Sequence, residues 1–433
     1  MTYEQATAYL NALIDYEKAP DFQYAIAFKL ERVVALMAEL GNPERSWPAL
    51  HIAGTKGKGS VAAYLDALLR AHGRHTGLYT SPHLVSFRER IRMDGAKISE
   101  TMFAEIMTRL EPWATRWQKA HDEDRLSFFD VLTAVGFEAF RRARIEWGVV
   151  EVGMGGRLDA TNVVHPRAVV ITPIALEHTK YLGPTVAAIA GEKAGIIKPG
   201  VPVVIGRQPD DAARVLAAKC AECGIVPTWL GKDIEIDGAG ETWTLRVNDA
   251  EYPGLRMGMS AAHQRWNFAA AVAALGKAGV PLHADAVRRV AAETIVPGRL
   301  QAFDAKPPLL LDVAHTPDSA NRLVEAMRER FPGRQATLVF GCSRDKRVDE
   351  LAAVLAPSAK VVVLAQMPGI RSMPMEEMLP PWKARHENVL TASSTAKAMT
   401  IAKDTTPPEG LIVVCGSFIL VGAVMELIGY EPG

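Results

Sequence analysis

His51-Ile-Ala-Gly-Thr-Lys-Gly-Lys-Gly-Ser60 runs from the end of an apolar strand into a glycine-rich loop that carries lysine and hydroxyl groups, and the amphipathic stretch Val61–Arg70 follows at once. This order suits a triphosphate. Glycines let backbone N–H groups turn inward on phosphate oxygens, and the start of a helix adds partial positive charge. Lys58 supplies a full charge, and Ser60 presents a hydroxyl to a metal. Gly54, Thr55, Lys56, Gly57, Lys58, Gly59 and Ser60 are therefore the expected cradle. The spacing is not the strict G-x-x-x-x-G-K-[ST]: Gly54 stands three before Gly57, and Gly59 separates Lys58 from Ser60. It is a variant phosphate loop.

Outside the loop, 433 residues without internal repeats predict two or three domains. The chain is 48% hydrophobic and 23% charged, as expected for a soluble chain with a large core. Lysine plus arginine and aspartate plus glutamate stand at 49 each, so no net field attracts nucleic acid or an anionic membrane. The start, Met-Thr-Tyr-Glu-Gln, lacks the basic-then-apolar order of a secretory signal, and no apolar run approaches the ~20 residues that span a bilayer. A cytoplasmic location is expected. Cys220 and Cys223 form a C-x-x-C, but Cys342 and Cys415 stand alone, which favours core cysteines at a helix end over a four-thiolate zinc site.

Short apolar runs alternate with helical spacing. Ala49–Ala53, Leu78–Thr80, Trp147–Val152, Ala168–Thr172 and Val201–Ile205 read as strands; Val61–Arg70, Val131–Arg142 and Thr185–Ile197 read as helices. Buried β-branched runs separated by helices predict a mostly parallel, doubly wound sheet. Residues Asp233–Arg256 break that rhythm, with hairpin signals at Asp237-Gly-Ala-Gly240 and Asn248-Asp249, before helical spacing returns at His263–Lys277. A second, Rossmann-like α/β unit is expected from Pro297 onward, with strands Leu309–Val313, Ala336–Phe340, Val361–Leu364 and Leu411–Cys415. The division is 1–296 and 297–433, with a cleft between the two units. The proline-rich segment Met367–Pro381 reads as an irregular excursion.

Ligands of doubly wound sheets sit at the carboxyl ends of strands. Glu151 ends one such strand and opens Glu151-Val-Gly-Met-Gly-Gly-Arg-Leu-Asp-Ala-Thr-Asn162, which is no dinucleotide fingerprint because Gly153-Met-Gly155-Gly156 is followed by Asp159 rather than by a third spaced glycine. Glu177-His178 ends another. Magnesium takes oxygen ligands and few from protein, so Glu151, His178 and the Ser81 hydroxyl form a candidate set. Lys193, near a helix end stopped by Pro199-Gly200, reads better on composition alone as a solvated lysine. Asp312 and His315 lie at the end of a strand in the second unit, and Arg299 lies at the junction, where a guanidinium reaches a phosphate.

Together these motifs resemble the folylpolyglutamate synthase/dihydrofolate synthase family of the Mur ligase superfamily, ATP-dependent amide-forming enzymes. The resemblance rests on Gly54–Ser60, Thr80–Ile91, Glu151–Asn162, Glu177–Lys198, His263-Gln264 with Asn267, Gly298-Arg299, Asp312–His315 and, more weakly, Gly416–Gly422. It covers nearly the whole chain in order. It implies ATP on the loop with Lys58 at the β/γ oxygens, and magnesium, two ions, on Ser81, Glu151 and His178. It also implies carbamylation of Lys193, which would make that residue a ligand of the second ion. Asn267, Arg299 and Asp312 would contact ATP, His315 and Ser417 the incoming L-glutamate, and Phe128, Asp130 and Asp159 the pterin of dihydropteroate or a reduced folate. Lys58, Lys193, His178 and His315 become the catalytic candidates of a monomer acting on small molecules.

Three positions depart from the family's usual residue: Glu177 for aspartate, Asp130 for glutamate and Thr316 for asparagine. The first two keep a carboxylate and change its reach; the third removes an amide near the glutamate site. Two rival readings are a P-loop ATPase or kinase, which leaves Lys193, His315 and the second unit without a task, and a peptidoglycan Mur ligase, against which Phe128-Phe129 and the Ser81–Ile91 loop argue for a pterin.

Overall fold

The computed structural model describes all residues except 18–21, 122–123, 239, 248–249, 260–261, 370 and 433, and leaves undescribed the side chains of 25 and 26. The first sheet is built from β1 (Ala49–Ala53), β2 (Thr76–Tyr79), β3 (Ile91–Met93), β4 (Ala96–Lys97), β5 (Trp147–Glu151), β6 (Pro166–Ile171), β7 (Val203–Ile205) and β8 (Thr228–Trp229). Its order is β4-β3-β2-β5-β1-β6-β7-β8. The pairs from β2 to β8 are parallel, and β3 and β4 add an antiparallel edge. Every residue of β1 is buried, and alternation sends its side chains to opposite faces. Leu50 and Ile52 join a core with the helices Lys58–Ala71 and Ala262–Lys277. Ala49 joins another core, with the helices Glu100–Ala120 and Phe128–Ala143. Apolar surface on both faces is what the helices cover, hence the doubly wound form.

A separate antiparallel sheet is made of β9 (Ile234–Asp237), β10 (Trp243–Val247) and β11 (Ala250–Leu255). The turn expected at Asn248-Asp249 lies outside the described residues, as does Ala239 of the earlier one. The last sheet contains β12 (Gln301–Phe303), β13 (Leu309–Leu311), β14 (Ala336–Phe340), β15 (Val361–Ala365), β16 (Val389–Ala392) and β17 (Leu411–Cys415). Its order is β12-β13-β17-β14-β15-β16, parallel except for β12. Among the described residues no helix is long and apolar enough to cross a membrane. Cys220 and Cys223 end the helix Asp210–Glu222 and are not joined in a disulfide.

The expected strands occur with ends that match or shift by at most two residues, and one expectation fails. The proline-rich stretch is not irregular throughout, because Met375–Lys383 is a helix that includes Pro380 and Pro381. Met378 and Trp382, one turn apart, are both buried, and Trp382 packs on Phe340 with ring centroids 4.8 Å apart. That burial outweighs the amide donors lost at the two prolines.

The two halves meet through the loop after β2. The Glu89 carboxylate accepts the N–H groups of Leu84, Val85 and Ser86 at 2.9, 2.9 and 2.6 Å, which stiffens the loop. Leu84 and Val85 then pack against the core of the last sheet. A Cβ at Gly422 would collide with the Leu84 carbonyl. Gly422→Ala should therefore improve the helix Phe418–Leu427 by about 1 kcal/mol in local propensity while forcing the halves apart. Small-angle scattering should give a larger radius of gyration with unchanged helical circular dichroism; an unchanged radius would refute the contact.

Candidate active site

The phosphate loop leaves β1 at the carboxyl edge of the sheet and enters the helix Lys58–Ala71 through Gly57, whose φ of +94° only glycine adopts at little cost. A Cβ there would also approach Asn267 Oδ1 to 2.5 Å. The loop is pinned from one side: the N–H groups of Thr55 and Lys56 both donate to Pro173 O, at 3.0 and 3.1 Å, on the segment that leaves β6. Lys193 Nζ donates to Gly54 O at 2.7 Å. From the helix Ala262–Lys277, Gln264 Nε2 donates to Ser60 Oγ (3.3 Å), and Asn267 Nδ2 donates to Gln264 Oε1 (3.0 Å).

Lys193 is buried and not solvated, so the solvated reading fails. Burial first, and Lys58 second, push its amine down to about 7. Glu151 is also buried, and its Oε2 accepts the Ser81 N–H at 3.2 Å. Burial raises its pKa, and Lys58 opposes the rise. His178 is exposed, on left-handed backbone before the short helix Thr179–Leu182. Among the described residues, no three His, Cys, Asp or Glu side chains gather into a cation cage. A magnesium ion that keeps water and phosphate oxygens fits this sparse set, with Glu151 as its buried carboxylate.

The last sheet closes the cleft. Asp312 is buried beyond β13 and accepts the N–H groups of Leu300 and Ala314, each at 2.8 Å; burial raises its pKa, and Arg299 opposes that. Half-buried Arg299 lies 5.1 Å from the centre of the Phe418 ring. His315 Nδ1 contacts Val313 O at 2.8 Å; a carbonyl only accepts, so Nδ1 carries the proton. Its Nε2 lies 3.7 Å from Glu177 Oε1, and the same oxygen accepts Lys56 Nζ at 2.8 Å. Burial alone would raise the Glu177 pKa, but His315 and Lys56 hold it well below the usual carboxylate range. Beside the loop lies a cavity of about 400 Å³, lined by Lys56, Asn267, Trp266 and His263 and, across the cleft, Arg322 and Glu329.

Several expected substrate contacts are already engaged in the fold. Phe128 lies in the core, only 2% exposed, and the half-buried neighbour Phe129 is the ring near Gly153. Asp130 is buried in the capping box of the helix Phe128–Ala143, accepting Ser127 N–H at 2.9 Å, with Arg32 3.4 Å away. Asp159 is fully buried and accepts from Met154 N, Thr161 N and Thr161 Oγ1, closing the glycine loop on itself. Ser417 caps the helix Phe418–Leu427. Sequence reading missed the Lys56–Glu177–His315 contact and the lining residues Arg207, Trp266 and Arg322. Only the neighbour Asn267 hinted at Trp266; the others are far apart in sequence and share no motif.

Comparison with known proteins defines the class first. Residues 298–418 match the glutamate ligase domain of Mur ligases. A Mycobacterium tuberculosis dihydrofolate synthase/folylpolyglutamate synthase is 35% identical, covering 93% of this chain and 90% of that protein. The structure of M. tuberculosis folylpolyglutamate synthase complexed with ADP superposes with a TM-score of 0.91 at 34% identity, over 100% of this chain and 99% of that one. Escherichia coli FolC in complex with DHPP and ADP gives 0.87 at 30% identity, over 99% and 98%. The chain belongs to the dihydrofolate synthase/folylpolyglutamate synthase family.

The contacts of Asp159 yield a stability test. Asp159→Asn turns one accepting oxygen into a donor facing N–H and O–H groups, so urea denaturation should show a loss of about 1–3 kcal/mol. An unchanged midpoint would mean that the carboxylate is free to serve a ligand.

Proposed function

We propose that this chain joins L-glutamate to both dihydropteroate and reduced folates at the expense of ATP, by way of an acyl phosphate, with units 1–296 and 297–433 sharing the work. The observation that carries this reading is that His315 of the second half meets the phosphate loop across the cleft, with Glu177 between His315 and Lys56. A simple ATPase has no need of that second half. The relatives' names, and the ADP and DHPP bound in the solved neighbours, support the choice of substrates.

A carboxylate resists attack by an amine. Transfer of the γ-phosphoryl group onto the acceptor's carboxylate makes the carbonyl electrophilic; the glutamate amine then adds, phosphate leaves, and the amide remains. Such transfers depend on positioning and on neutralising charge. In this reading Lys58 meets the β/γ oxygens and Ser60 and the loop amides hold the phosphates. The cavity beside Asn267 and Trp266 takes the base, Arg299 approaches the phosphates, and His315, with Ser417 behind it, receives glutamate. Phe129 replaces Phe128 as the ring offered to the pterin, while Asp130 and Asp159 shape that wall from within. Magnesium would supply charge neutralisation on the phosphates, held by Glu151, Ser81 and His178 together with a carbamate on Lys193. ATP use argues for the cytoplasm, and the balanced charge of 49 cationic against 49 anionic side chains argues for small-molecule partners, with neither nucleic acid nor membrane; the chain is read as a monomer.

Assayed side by side with dihydropteroate and tetrahydrofolate, the protein should release ADP only when glutamate is present, and with either acceptor. Activity on a single acceptor would restrict the proposal, and glutamate-independent hydrolysis would overturn it. Lys58→Ala should stay folded and lose roughly three powers of ten in turnover.

Carbamylation of Lys193 forms a bond between the neutral amine nitrogen and the carbon of CO2, with a proton released to solvent. The amine, pushed down to about 7, is mostly neutral above pH 7 and mostly ammonium below it. Added bicarbonate should therefore raise the activity of CO2-depleted protein at pH 8 and much less at pH 6. Lys193→Ala should lose turnover yet still bind ATP. Equal bicarbonate response at both pH values, or none at pH 8, would refute the carbamate.

A further inference from the structure

Glu177 stands where one oxygen meets both halves of the molecule. Its Oε1 accepts Lys56 Nζ of the phosphate loop at 2.8 Å and lies 3.7 Å from Nε2 of His315. All three side chains are mostly buried, with exposures of 17–18%. Both ends are fixed by the fold. Lys56 is anchored by its own N–H on Pro173 O, four residues before Glu177. His315 is anchored by Nδ1 on Val313 O, and its N–H donates to Ser319 Oγ at 3.1 Å, in the first turn of the helix Pro317–Arg330. Lys56 also lines the cavity beside the loop, so the cation that Glu177 holds faces the space proposed for the nucleotide.

We propose that Glu177 is a positioning residue that links the phosphate loop to the amino-acid side of the cleft: it holds Lys56 and presents His315, so that approach of the second half and loading of the loop set each other's geometry. This rests on the ligase reading above. A glutamate side chain suits the span, since it reaches one methylene further than the aspartate more usual at this position in the family.

The charge and the length of the side chain give separate readouts. Glu177→Gln leaves a neutral amide beside Lys56 and removes the anion facing His315. The KM for glutamate should rise about tenfold or more, as expected for losing an interaction with a charged partner. The KM for ATP should stay level or fall, because Lys56 is freed towards the phosphates. Glu177→Asp keeps the charge at shorter reach and should recover part of the glutamate KM. In the double variant Lys56→Gln/Glu177→Gln, the glutamate KM should be no worse than in Glu177→Gln alone, because the two residues act as one strut. Circular dichroism and thermal melts of each variant establish that it is folded.

Equal rises in both KM values, an unchanged glutamate KM, or fully additive effects in the double variant would overturn the assignment. Loss of the folded state in both the Gln and the Asp variants would overturn it too, since a strut across the cleft is not required for either half to fold. If the unmutated chain releases no ADP in response to glutamate, the ligase reading fails and takes the proposal with it. A working unmutated enzyme with parallel KM shifts counts against Glu177 alone.

Discussion

Two amide donors of the phosphate loop, Thr55 N–H and Lys56 N–H, converge on one acceptor, the carbonyl of Pro173. A glycine-rich loop is entropically free, and its donors are useful to an anion only when the backbone is held in one shape. The Pro173 carbonyl supplies that hold, with help from Lys193 on Gly54 O and from Thr55 Oγ1 on Ala175 O. The loop is thereby tied to the segment leaving the adjacent parallel strand, and Glu177 and His178 fall beside it. Both lie on the chain that does the pinning.

The charges of the cleft follow from the same arrangement. Lys56, Lys58, Lys193 and Arg299 gather near Glu151, Glu177 and Asp312, most of them in surroundings that penalise an isolated charge. Burial pushes Lys193 down and Glu151 and Asp312 up, while the neighbouring opposite charges limit the carboxylate shifts. Such a set is costly for folding alone and suited to a polyanionic ligand. Asp159, Asp130, Thr316 and Ser417 do different work nearby: each accepts backbone N–H groups at a turn or helix start. Thr316 caps the helix after His315, its hydroxyl accepting the Ser319 N–H at 3.3 Å.

Local pattern was enough wherever one segment decided its own fate. The strands Ala49–Ala53, Ala336–Phe340 and Leu411–Cys415 were legible residue by residue, because apolar runs of this length between glycines, prolines and helical spacing have few other uses. The phosphate loop was legible because its chemistry is written in adjacent residues. The helix Met375–Lys383 was not, since two prolines argue against it locally and only the Trp382–Phe340 packing decides for it. Phe128 and Phe129 could not be told apart either: adjacent aromatic residues at a helix start look alike until the core claims one of them.

By itself the sequence determined two wound α/β units, a phosphate loop at the end of β1 and acidic and basic residues at the other strand ends, because hydrophobic periodicity and loop chemistry are properties of neighbouring residues. Tertiary structure alone decided that Lys193 is buried against Gly54, that Asp159 and Asp130 face inward, and that Lys56 and His315 meet at Glu177. Lys193 and Gly54, Lys56 and Glu177, and His315 and Glu177 stand more than a hundred positions apart, and only the sheet order and the approach of the two halves bring each pair within 4 Å.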